Sequence, residues 1–147
     1  MTERHLVARA AAADLVVPDT YPGHHQGFGR WAVVGEAAGA AHTGFGICAL
    51  EPGGHLDAHV HSFEESLFLL EGNLVLDTAE GSVLLGPGDY GLVPVGLGHA
   101  LRNTGPEAAR WADMLAPQPR ARFGDDTFFV PPLPEAEAGT LLNSNVR

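Results

Sequence analysis

From residue 31 to residue 115 the chain falls into short apolar runs cut by glycine, proline or aspartate, and few folds accept that spacing. The runs 31–36, 44–50, 55–61, 66–70, 74–77, 82–85, 90–93, 99–103 and 110–115 read as strands, and none carries the 3.6-residue period of a helix. Between them stand Glu51-Pro52-Gly53-Gly54, Glu71-Gly72-Asn73, Glu80-Gly81, Gly86-Pro87-Gly88-Asp89 and Thr104-Gly105-Pro106, residues that preset a turn or tolerate positive φ. Many short strands with a turn signal at each end imply an all-β sandwich or barrel. At 147 residues the chain is long enough for one core and too short for two.

His59 and His61 lie two apart in one of these runs. On a strand both rings project from the same face, about 7 Å apart along the chain, which is chelating distance once they lean together. The residues around them make the pair more specific than a chance His-X-His. Gly53 stands six before His59, Glu65 four after His61, and Gly72 closes the stretch. A second cluster runs Gly88, Pro94, Gly96, His99, Asn103.

Together these stretches resemble the two signature motifs of the cupin superfamily, with every signature position filled. The resemblance implies a double-stranded β-helix, the small jelly-roll barrel. It also implies a metal site made of His59, His61 and Glu65 from the first motif and His99 from the second. On this reading residues 1–30 are an amino-terminal arm, 31–116 the barrel and 117–147 an extended proline-rich tail packing on it. Residues 73–87 between the motifs leave room for two strands and a hairpin only.

Three imidazoles and a carboxylate without thiolate suit one divalent transition metal ion per chain, Fe, Mn, Ni, Co, Cu or Zn, and disfavour calcium and magnesium. Metal-dependent cupins include dioxygenases for enolic and aromatic substrates, so the resemblance implies an oxidoreductase of that kind, with Glu65 able to detach and act as general base. Two alternatives stay open. One is a redox-neutral isomerase, cyclase, lyase or hydrolase using the metal as Lewis acid; the other is a cupin that binds or senses a small molecule without turning it over. Phe45, Ile47, Leu67, Leu69, Leu92, Leu101, Asn103 and Trp111 lie on strands that could line the pocket. Tyr90, Arg102 and Asp113 are the nearby polar groups.

A net charge of −10 argues against nucleic acid or an anionic membrane as partner, and points to a small-molecule substrate. The alanine run near the amino terminus is broken by Asp14 before it reaches signal-peptide length, and no segment has the span of a transmembrane helix. The single cysteine, Cys48, sits among apolar residues and reads as a buried strand thiol in a cytoplasmic protein. If Glu65 faces inward, Phe68 and Leu70 face outward, and that apolar outer face calls for cover by a second subunit or by the chain's own terminus; a homodimer is the expectation.

Overall fold

The structure, a computed structural model, describes residues 5–7, 9, 14–134 and, as backbone, 139–140. Ten strands are present among them: β1 (His25–Val34), β2 (Gly44–His61), β3 (Glu64–Glu71), β4 (Leu74–Thr78), β5 (Gly81–Leu85), β6 (Tyr90–Val93), β7 (His99–Arg102), β8 (Ala109–Ala116), β9 (Thr127–Phe129) and β10 (Gly139–Thr140). The expected all-β jelly roll is what forms, a nearly closed barrel. Its strand order is β10-β5-β4-β7-β2-β8-β3-β6, with β1 and β9 also paired to β2. The sheet takes in residues on both sides of 31–116, since β1 starts at His25 and β9 and β10 join from the chain's last quarter.

The runs 44–50 and 55–61 are one strand, not two. β2 is 18 residues long and passes through the turn-like Glu51-Pro52-Gly53-Gly54 without breaking. The signal for a turn was real, but it produces a bulge. Opposite this segment the β1 register jumps from Phe28↔Leu50 to Gln26↔His55, and Gly53 takes φ +72°. Such a bulge bends a strand and lets its two halves serve different partners. The first half pairs with β8 and the second with β7 and β9.

Side-chain alternation then fills the barrel. On β3, Leu67 and Leu69 are buried at 3% and 0% exposure, while Phe68 and Leu70 stand at 45% and 41% on the outside, as the parity of Glu65 requires. Leu50, Leu74 and Trp111 meet Leu69 in the core. The same alternation corrects four pocket expectations. Tyr90 and Leu92 are exposed because they pair with Phe68 and Ser66, which face outward. Phe45 and Ile47 face the same side, opposite exposed Met114 and opposite Ala112, the partner of outward Phe68.

In the first part of the proline-rich tail, β9 lies along His59, Val60 and His61, and Phe129 packs against the core. Among the described residues no helix is long and apolar enough to cross a membrane.

Candidate metal centre

Strand pairing brings the two motifs together. His59 and His61 end β2, His99 opens β7 directly opposite His59, and Glu65 is the second residue of β3. All three histidines are buried, at 1% to 3% exposure. Their rings cluster, with centroids 4.2 Å apart for His59–His99, 4.9 Å for His61–His99 and 5.8 Å for His59–His61. One potential ligand atom from each lies within 4.8 Å of the other two, so the three could hold a metal ion.

Each ring is held in the same way. Nδ1 of His59 faces the Asp57 carbonyl at 2.8 Å, that of His61 the Phe63 carbonyl at 2.8 Å, and that of His99 the Leu97 carbonyl at 2.9 Å. A carbonyl can only accept, so each Nδ1 carries a proton and donates it, and a ring without a second proton has its lone pair on Nε2. This outer-shell arrangement is typical of metal-ligating histidine.

The inward atoms then need a cation. Glu65 Oε2 is 3.1 Å from His61 Nε2 and 3.7 Å from His99 Nε2. A neutral His61 with its proton on Nδ1 would set a lone pair against that carboxylate. His99 Nε2 is buried with no hydrogen-bond partner. A bound metal ion resolves both conflicts, so the donor set fits one. Burial, and then the charge of His99, pushes His59 down to about 4. Burial pushes Glu65 up, but its contacts with His61 and His99 outweigh this and hold it well below the usual carboxylate range.

The cluster opens into a cavity of about 920 Å³. Its wall is mainly apolar, with Phe28, Leu56, Leu101, Trp111 and Leu115 among the lining residues. Asp113, expected as a polar candidate, lies in this wall at 3% exposure. It accepts two 2.7 Å bonds from Arg30 and one of 3.3 Å from the Cys48 thiol. Burial, then Asp113, pushes the Cys48 thiol up, so it stays protonated and a poor nucleophile. Tyr21 also lines the cavity, its hydroxyl kept neutral first by burial and then by Glu65.

Other candidates lie elsewhere. Tyr90 is on the outer face. Arg102, named as a polar group near the pocket, forks onto buried Asp77 at 2.7 and 3.1 Å. Asn103 ties down its own turn, donating to the Leu50 and Glu107 carbonyls at 2.9 and 2.8 Å and accepting from Gly105 N–H at 2.9 Å. Arg30 and Tyr21 were missed because they precede the strand run that begins at residue 31. The alternation Phe28, Arg30, Ala32 could have revealed Arg30; Tyr21 lies in a loop and gives no comparable signal.

Residues 46–115 match the family model described as "Cupin domain". The chain is 33% identical over 126 residues to "Tetracenomycin polyketide synthase protein TcmJ" of Streptomyces glaucescens, covering 83% of this chain and 85% of that protein. This chain belongs to the cupin superfamily. It is also 32% identical over 126 residues to "Protein SchB" of Streptomyces halstedii, covering 84% of this chain and 88% of that one. Of solved structures, the polyketide cyclase RemF from Streptomyces resistomycificus superposes with a TM-score of 0.64 at 18% identity, over 76% of this chain and 80% of RemF. At that identity the likeness concerns the fold.

Proposed function

We propose that this cupin is a metal-dependent enzyme that closes or rearranges the carbon skeleton of an aromatic or poly-β-keto substrate without net oxidation. The observation that carries this reading is the histidine cluster opening into a large, mostly apolar cavity. The relationship to a protein named for tetracenomycin polyketide synthesis supports the substrate class.

His59, His61, Glu65 and His99 would hold one divalent transition metal, which supplies Lewis-acid polarisation of a substrate carbonyl or phenolic oxygen. The protein's own groups do the rest. Released from that role, the Glu65 carboxylate is ionised at neutral pH and can take a proton from a methylene flanked by two carbonyls. The protonated Glu65 can then return that proton to a departing oxygen, while Tyr21, kept neutral, can donate a hydrogen bond in the cavity without ionising. Phe28, Leu56 and Trp111 exclude water and offer flat apolar surface to a planar ring system.

A dioxygenase would use the same donor set, and oxygen separates the two readings. With a linear poly-β-ketone as substrate, the metal-loaded enzyme should form a product of equal mass, or lighter by water, at the same rate under anaerobic conditions. Turnover that stops without dioxygen and adds oxygen atoms to the product makes it a dioxygenase. Substrate recovered unchanged leaves a binding cupin.

The outer face supports the homodimer. Phe68, Leu70, Leu92 and Met114 stand between 41% and 56% exposed on β3, β6 and β8, a contiguous apolar patch that a second copy would cover. Light scattering at micromolar concentration should return twice the chain mass, and Phe68→Glu should return one chain mass; a monodisperse wild-type monomer refutes the assignment.

A further inference from the structure

Of the five N–H donors of the Arg30 guanidinium, two go to Asp113 and the other three have no partner among the described residues. Arg30 nevertheless lines the cavity, and its side chain is only 17% exposed. Burying an arginine costs several kcal/mol unless its charge is met, and Asp113 meets it; the remaining N–H groups are not among the fully buried atoms without a partner, so they stay open to a ligand. The backbone has been shaped to admit the group. A Cβ at Gly46 would lie 2.6 Å from Arg30 Nη2 and 2.7 Å from its Cζ, so a side chain there would displace the guanidinium.

Position relative to the metal cluster follows from strand register. Asp113 pairs with Leu67, and Leu115 with Glu65, on the inner faces of β8 and β3. The Arg30–Asp113 pair thus sits one inward step, about 7 Å along the strands, from Glu65. One planar molecule can reach both.

We infer that Arg30, held by Asp113 and given room by Gly46, is a second anchoring point in the cavity that hydrogen-bonds a neutral keto or phenolic oxygen of the substrate remote from the histidine cluster. Charge decides for a neutral oxygen. Arg30 is already balanced by Asp113, and Glu65 lies on the same wall, so a carboxylate placed there would add a third negative charge. The inference rests on the polyketide-type reading above, and it adds the residue that would choose the orientation of the rings.

The test uses the full chain stripped of metal, so that ring binding is read without chelation, and two probes of one three-ring skeleton. Emodin carries keto and phenolic oxygens; anthracene carries none. Arg30→Met should weaken emodin binding, followed by tryptophan quenching, about tenfold to hundredfold, the range for a hydrogen bond from a charged donor. Anthracene binding should be unchanged or tighter. Arg30→Met leaves Asp113 uncompensated, so the double variant R30M/D113L, which replaces the pair by apolar groups, is measured beside it and should show the same selective loss. Equal emodin affinity in wild type and the double variant overturns the anchoring role and leaves the proposed function standing. Parallel loss of both probes also overturns it, because that marks a structural role. Failure of wild type to bind either probe sinks the ring-substrate reading and this inference with it.

Discussion

Purified without chelators or affinity metals, the protein should carry close to one equivalent of a first-row transition metal per chain, and His61→Ala and His99→Ala should lose most of it. Apparent binding energies on the order of 10 kcal/mol or more for four-ligand protein sites imply roughly 3 kcal/mol per ligand, a change of more than about a hundredfold in affinity. His99 is the sharper case, since its Nε2 is buried with no hydrogen-bond partner within normal distance. Glu65→Gln should cost less because three nitrogens remain. Elemental analysis of wild type and variants decides; equal metal in all of them removes the site assignment. Protons compete for the same lone pairs, which adds a pH dependence of known sign. With His59 held at about 4 against an ordinary 6.5, the unfolded chain binds that proton first. Stability of the metal-free protein should therefore fall as pH drops from about 6.5 to about 4, and it should keep falling below that, because the fold holds Glu65 well below its ordinary value and the unfolded chain takes up that proton first. A bound metal should protect through the upper part of that window.

How much of this was legible in the sequence depends on range. The strand run, the inward parity of β3 and the pairing of two histidines across one residue are local properties, and period-2 alternation exposes them directly. The ligand set needed the motif framework, because nothing local says that His99 will face His59 across β2 and β7. What failed was long-range in the same way. Glu51-Pro52-Gly53-Gly54 carries turn chemistry, but β1, β7 and β8 pair on either side of it and pull it into a bulge. Tyr90 and Leu92 looked like pocket residues until the register of β6 against β3 placed them outside. Arg30 becomes a cavity residue only when β1 lies against β2 and Asp113 arrives from β8. Strand membership is written in neighbouring residues; which face a polar group shares with a residue eighty positions away is set by sheet register.

The motif glycines make that distinction measurable. Gly72 and Gly96 look equivalent in sequence and share positive φ, +70° and +76°. Alanine in that conformation costs about 1–2 kcal/mol at either site. Around Gly96 nothing lies within 4 Å of the added Cβ, so that cost should be nearly the whole effect. At Gly72 the Cβ would stand 2.9 Å from the Ala108 carbonyl carbon and from Ala109 Cα, and closer still to the Ala108 oxygen. These are backbone atoms and cannot rotate away. Ala109 is fully buried and paired with Leu50, so relief would have to shift the start of β8, and overpacking of that kind adds about 1–3 kcal/mol. Gly72→Ala should therefore lose about 2–5 kcal/mol in all, a large share of an ordinary domain's stability. Urea midpoints of the metal-free protein should drop much further for G72A than for G96A at similar slope. Equal losses would mean that φ alone governs both positions and that the close approach of β8 to the β3–β4 turn contributes nothing.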